Sequence, residues 1–167
     1  MGVESALDTR TNSLCSIEAA HALIHDGRLF CVTSTTLAVA AASSVDIVLA
    51  PPAGCYPHVV FFINSDQPST TTLYTGTTYT PGANVAGVNR NCVSTNTANL
   101  GIDLTATGIT PGTSLMQVRV PGSVLAGGSF SSQSEWILGA GTNYLLRVTN
   151  SAASAAANIS IELMWYE

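Results

Sequence analysis

Apolar and polar residues alternate with a period of two along most of this chain, the repeat of a strand rather than a helix. The clearest run is Asn158 to Tyr166, where Ile159, Ile161, Leu163 and Trp165 alternate with Ser160, Glu162, Met164 and Tyr166. Such a pattern predicts a strand with one buried face. Asn143 to Asn150 sets Tyr144, Leu146 and Val148 against Leu145, Arg147 and Thr149, and Leu115 to Val120 sets Met116, Val118 and Val120 against Gln117 and Arg119. Pro57 to Asn64 is apolar on both faces, which predicts a central strand covered on each side or one whose outer face meets a partner. Further strands are expected at Leu29–Thr33, Ser44–Leu49, Thr70–Tyr74 and Ser134–Leu138, with one or two less regular ones between Val88 and Leu104. Pro51-Pro52-Ala53-Gly54, Pro81-Gly82, Pro111-Gly112, Pro121-Gly122, Gly127-Gly128 and Gly139-Ala140-Gly141 punctuate the runs. About eight short antiparallel strands divided by such turns predict an all-β fold, a jelly roll or β-sandwich.

Two segments depart from that rhythm. Residues 1–27 lack strand periodicity and hold the one helical stretch, around Ile17 to Ile24, so they read as an N-terminal arm on a sandwich domain spanning 28–167. Ser151 to Ala157 is a run of small residues between the last two strands, either a hairpin tip or a packed contact.

Composition narrows the function. The chain has 167 residues, enough for one domain with a real core. Only 9% are charged, against roughly 25% in an average soluble domain. Its five cationic residues, Arg10, Arg28, Arg90, Arg119 and Arg147, are scattered singly, and the net charge is -5. Nucleic-acid binding needs clustered cations to displace counterions, so no nucleic-acid partner is expected. Ser, Thr and Asn supply the polarity instead, a surface that resists association only weakly through charge. The longest apolar stretch, Leu37 to Ala42, is too short to span a membrane, and MGVESALDTR lacks the basic and apolar regions of a signal peptide. Cys15, Cys31, Cys55 and Cys92 form no CxxC pair, and they are expected as reduced thiols in or near the core.

Candidate chemistry is sparse. His21 and His25, four residues apart and followed by Asp26, would share a helical face and could ligate a metal with Asp26 or His58. No Glu follows His21 as a hydrolytic HExxH site requires, and hydrogen bonds tying the arm to the domain are the expected role. The histidines all lie in the first 58 residues, unlike the ligand set of a cupin-type site. Gly127 to Ser131 lacks the closing glycine of a nucleophile elbow and reads as a loop. Glu135 and Glu162 are expected on solvated strand faces or as partners of Arg119 or Arg147, rather than as a glycosidase pair. Asn158-Ile159-Ser160 matches a glycosylation sequon but falls inside a predicted strand. No catalytic residue, metal or cofactor is therefore expected. Trp165 lies on the core face of its strand, leaving Trp136 and Tyr166 as candidate interface anchors.

Glu18, His21, Ile24, His25, Gly27 and Phe30 spell E-x-x-H-x-x-I-H-x-G-x-x-F. Ser134 to Leu138, Thr142 to Asn150 and Ile159 to Glu167 form a matching ending. Together these stretches resemble the two ends of the jelly-roll decoration, or cementing, proteins of tailed phages; the middle, about residues 66–133, shares only strand-and-turn character. The resemblance implies a structural protein on the capsid exterior, made in the host cytoplasm. Its partners would be the major capsid protein and copies of itself, as dimer or trimer. His21, His25 and Asp26 of the arm, with Trp136 and Tyr166, would take part in those contacts. A receptor- or carbohydrate-binding fibre or tail module shares the fold and the Thr/Asn surface and is the alternative.

Overall fold

A computed structural model describes residues 3–8, 13–122, 128–132 and 135–167. In chain order the elements are β1 (Val3–Asp8), β2 (Ser13–Glu18), α1 (Ala19–His25), β3 (Leu29–Val39), β4 (Ser44–Ala50), β5 (His58–Ser65) and β6 (Ser69–Thr75). There follow β7 (Thr78–Thr80), β8 (Val88–Asn89), β9 (Gly101–Asp103), β10 (Thr107–Thr110) and β11 (Thr113–Val120). The last four are β12 (Gly128–Ser131), β13 (Trp136–Ile137), β14 (Tyr144–Asn150) and β15 (Ala157–Tyr166).

Two antiparallel sheets form the body. The first runs β12-β5-β15-β3-β8, with β13 also on β5, and the second runs β11-β6-β14-β4-β9. Within them β3-β15-β5-β12 and β4-β14-β6-β11 interleave as in a jelly roll, the chain passing from sheet to sheet at nearly every connection. The fold class is the expected one, but fifteen strands are present among the described residues rather than about eight. The unexpected ones are β1 and β2, which pair with each other, β7 and β10, which do the same, and β12 on β5; β8 and β9 fall in the Val88–Leu104 stretch where less regular strands are expected, and β13 falls within Ser134–Leu138. β7 and β10 are Thr-rich, carry little apolar alternation and are held by ladder bonds, whereas β9 and β13 also set Ile102 and Trp136 on the core.

Between the sheets the alternation read from the sequence becomes a core. Ala157, Ile159, Ile161, Leu163 and Trp165 of β15 are all buried, facing Ile47, Leu49, Leu73, Leu146 and Val148 of the second sheet within one cluster. Phe30 stacks on Trp165 with ring centroids 5.9 Å apart. Burying one such aromatic or branched side chain contributes roughly 1.5–3 kcal/mol. At the far end Asn150, wholly buried, donates from Nδ2 to the carbonyls of Val39 (2.9 Å) and Ala155 (2.8 Å) and accepts from the Ala152 amide (3.0 Å). Ser151 to Ala157 is thus a crossing between sheets, not a hairpin tip, because β14 and β15 lie in different sheets.

Three local expectations are corrected. Residues 3–8 and 13–18 pair as antiparallel strands, β1 with β2, in register from Val3↔Glu18 to Asp8↔Ser13, and the helix occupies Ala19–His25 where one was expected around Ile17 to Ile24. VESALD and SLCSIE mix apolar and polar residues at both alternate sets of positions, so no periodicity betrays them. Gly128–Ser131, expected as a loop, is a strand because β5 offers a free edge from Phe62 to Ser65. The strand expected over Ser134–Leu138 pairs only at Trp136 and Ile137; Ser134 lies outside the described residues.

Gly87 marks the tightest fit around Trp165. A Cβ there would meet ring atoms Cζ2 and Cη2 at 2.5 Å, far inside contact distance, with the ring itself fully buried. Gly87→Ala should therefore overpack the core and lower stability by about 1–3 kcal/mol. Urea unfolding would show a lower midpoint with an unchanged slope; an unchanged midpoint would mean that the indole has room to move.

Candidate functional site

The two sheets present different outer faces. In the second, Val48 and Leu145 are register partners on the face away from the core, yet both are buried. Asp103, paired with Val48, accepts the Gly82 amide at 2.6 Å and the Thr105 amide at 2.8 Å, pinning the Gly82 turn over that face. Further along, the Arg147 guanidinium forks onto Asp46, Nε to Oδ1 and Nη2 to Oδ2, both at 2.7 Å. That bond to Asp46 raises the Arg147 pKa. Arg147 thus pairs with its cross-strand neighbour Asp46, which faces it directly in the ladder, and of the two roles expected for Glu135, solvated or partner to an arginine, the exposed one is found.

The first sheet's outer face is left more open. Since Leu163 and Trp165 point inward, Met164 and Tyr166 point out. Register then lines up Val60, Met164, Cys31 and Val88 in one row across four strands. The adjacent row is Ile137, His58, Tyr166 and Leu29. Val88 and Ile137 are each 62% exposed, and the others are half-buried. Phe62 adds a further aromatic beside Glu162, its register partner. Both-face apolarity in β5 therefore has a specific origin: Val59, Phe61 and Ile63 build the core while Val60 and Phe62 line this face.

One polar cluster sits in the second row. His58 and Tyr166 stack with centroids 4.4 Å apart. Glu135 Oε2 accepts the Tyr166 hydroxyl at 2.8 Å and lies 2.8 Å from His58 Nδ1, which is itself 2.9 Å from the hydroxyl. The hydrogen bond to His58 chiefly holds the Glu135 carboxyl below its usual range, with a further contribution from Tyr166. Burial, then the bond to Glu135, push the Tyr166 phenol up to about 12. Of the two anchor candidates, Tyr166 is on this face, whereas Trp136 packs half-buried against the core cluster. Glu162 stands four places from Tyr166 on β15, about 13 Å of strand.

At the β8 edge of the same sheet lies helix α1. It closes with a Schellman turn: the Gly27 amide bonds the Ile24 carbonyl (3.0 Å) and the Arg28 amide bonds the Leu23 carbonyl (3.0 Å). Gly27 supplies the required positive φ of 65°, and a Cβ there would strike Ser94. Three amides then cap the free carbonyls: Asn91 to His25 (3.1 Å), Asn96 to Asp26 (3.2 Å) and Asn89 to Gly27 (2.8 Å). The Asn-rich stretch is thereby a helix cap, a role its composition alone did not announce. His21 and His25 are exposed on the helix with their Nε2 atoms 2.8 Å apart, and Asp26 is exposed just beyond. His58 is engaged elsewhere, with Glu135, so it does not join them. Among the described residues no three or more His, Cys, Asp or Glu side chains gather as a metal site.

Glu167 ties this end together. Its carbonyl accepts Arg28 Nε at 2.8 Å, and its carboxylate accepts the Asn99 amide, the Leu100 amide (3.2 Å) and the Cys55 thiol (3.0 Å). Burial, then the Glu167 bond, push the Cys55 thiol up to about 12, the reverse of what an activated nucleophile needs. Of the thiols expected reduced in or near the core, Cys31 is free and half-buried on the outer row, Cys55 is free and half-buried, and Cys92 is free but exposed. Each falls on an outward strand position or in a turn. The Cys15 side chain lies outside the described residues.

Fold and surface define an all-β jelly roll with one sheet face open to association. Family models, curated proteins and solved structures were each compared with the chain, and none matches.

The cluster has a pH consequence. A carboxyl whose folded pKa lies below its usual 4.5 stabilises the fold above that value. The contribution is lost as pH falls from about 4.5 through the lowered pKa. Glu135→Gln should flatten the stability-versus-pH curve on its acid side below about pH 4.5. An acid limb identical to that of the unsubstituted chain would mean that the cluster does not hold in solution.

Proposed function

We propose that this chain is a virion structural protein that binds the outer surface of an assembled tailed-phage capsid and cements it. The observation that carries the reading is the open outer face of the first sheet. Its rows Val60–Met164–Cys31–Val88 and Ile137–His58–Tyr166–Leu29 expose apolar and aromatic area. Glu135, Glu162 and Arg90 are charged side chains on or beside it, in a chain of only 9% charged residues. The resemblance adds support, because the two stretches that carry it are neighbours in space. Phe30 pairs with Trp165 and Leu29 with Tyr166, and Gly27 and His25 belong to the helix cap beside them.

The mechanism is linkage. A protein that binds only the assembled shell stabilises it against dissociation, and a lattice of equivalent sites multiplies a modest interface. The partner is the major capsid protein, with neighbouring copies of the chain as dimer or trimer on the capsid exterior. His21, His25 and Asp26 on α1 and Tyr166 on the sheet are placed to share the contact, while half-buried Trp136 supports the sheet edge beneath it.

The test is high-resolution imaging of purified particles carrying the chain, repeated after a high-salt wash. On the order of hundreds of copies spread over the shell are expected, retained at about 0.5 M salt because so few charges are available for screening. A handful of copies at one vertex would move the assignment to a fibre or tail module that binds a receptor or glycan. Loss of the chain at moderate salt would refute the apolar contact.

A further inference from the structure

The paired histidines of α1 carry a second property, independent of the capsid reading. His21 and His25 are exposed, their ring centroids are 4.6 Å apart and their Nε2 atoms face each other at 2.8 Å. At this distance the two nitrogens share a hydrogen bond, one Nε2 donating to the other; with that proton displaced both lone pairs become available to one ion, and imidazole suits copper, nickel and zinc. With metal–nitrogen bonds of about 2.0–2.1 Å, nitrogens separated by 2.8 Å subtend roughly 85° at a shared ion. Tetrahedral coordination would need them about 3.3 Å apart at the same bond length. An angle near 90° belongs to adjacent positions of square-planar or octahedral ions, the geometries of Cu(II) and Ni(II).

The scaffold favours that arrangement. A helix this short is marginal alone, but the Schellman turn at Gly27 and the caps from Asn89, Asn91 and Asn96 hold its last turn. Residues four apart then stay on one face, one turn above the other. The rings, being exposed, need only small rotations about χ2 to aim both lone pairs at one ion.

We infer that His21 and His25 form a chelating site for a divalent ion preferring right-angled nitrogen ligands, Ni(II) or Cu(II), with water in the remaining positions. Nickel is the better probe, because copper(II) also oxidises thiols and the chain has four cysteines.

The experiment is calorimetric titration of the full chain with nickel chloride, repeated with zinc chloride. One nickel per chain is expected, bound more tightly than zinc. His21→Ala and His25→Ala should each weaken nickel binding roughly tenfold to a hundredfold, because the second imidazole binds intramolecularly. His58→Ala, which touches only the Glu135 and Tyr166 cluster, should leave it unchanged. Alanine is the stronger helix former, so circular dichroism should show both helix variants folded, and His58→Ala on β5 serves as the control once its spectrum matches that of the unsubstituted chain. Wild-type protein that takes up no nickel at millimolar concentration would overturn the site. So would affinity that survives either helix substitution, or a loss shared equally by His58→Ala. Zinc bound more tightly than nickel would overturn the right-angled geometry.

Discussion

The pairing of β15 along both of its edges is the constraint on which the rest of the molecule depends. From Ile159 to Tyr166 it bonds β5 on one side and β3 on the other, so a single strand joins residues near position 30 to those near 60 and 165. Its inward side chains, Ile159, Ile161, Leu163 and Trp165, are the middle of the core. Its outward ones, Met164 and Tyr166, are the middle of the open face. Such contacts are maximally non-local, and their loop-closure entropy must be met before any of them stabilises. The first sheet therefore cannot be completed until the far end of the chain is in place. A change on β15 is felt at once in the core and on the surface.

That coupling explains why the two outer faces differ. On the second sheet the chain spends a buried carboxylate, Asp103, on holding the Gly82 turn against Val48, and a bidentate ion pair on Arg147. A half-buried pair with fork geometry and two matched bonds contributes more than an exposed one, and it leaves little apolar area free. On the first sheet the His58–Glu135–Tyr166 cluster and Arg90, whose Nη1 reaches the Met164 sulfur at 3.1 Å, sit on rows Val60–Val88 and Ile137–Leu29, yet Val88 and Ile137 stay 62% exposed. An apolar sheet face with so few charges around it is costly to keep wet, and association removes that cost.

How far the sequence disclosed this can be judged strand by strand. Period-two runs located β11, β14 and β15, short apolar or Thr-rich stretches between turns located β3, β4 and β6, and the both-face apolarity of Pro57 to Asn64 located β5 as a strand central in its sheet. These are the elements whose side chains are sorted by burial, the property that alternation reports. Where a strand is too short or too mixed to alternate the signal is missing: GSFS joins the edge of β5 with only Phe130 set against the core cluster, and β1 pairs with β2 without a clean apolar face in sequence. Tyr166 was legible as an outward aromatic from its place opposite Trp165. Its partners were not, since His58, Glu135 and Tyr166 meet only through the β13–β5–β15 register. Glu135 and Glu162 were read as candidates for Arg119 or Arg147, but Asp46 is the residue the ladder sets against Arg147.

The helix motif shows the same limit from the other direction. The spacing of His21, Ile24, His25, Gly27 and Phe30 was visible, but its reason is tertiary. Gly27 must adopt a positive φ with Ser94 against its α-carbon, and Phe30 must reach Trp165. Between them the chain turns from helix to strand in a space with no room for a side chain. The carbonyls left over at that turn, on His25, Asp26 and Gly27, are then met by Asn91, Asn96 and Asn89 from a loop that looks featureless as a string of letters. Unpaired carbonyls at a helix end cost free energy unless satisfied, and a seven-residue helix has no long ladder to absorb that cost. The Asn-rich loop is therefore what makes the short helix persist. The exposed histidines are carried on a last turn held by side chains about seventy residues away.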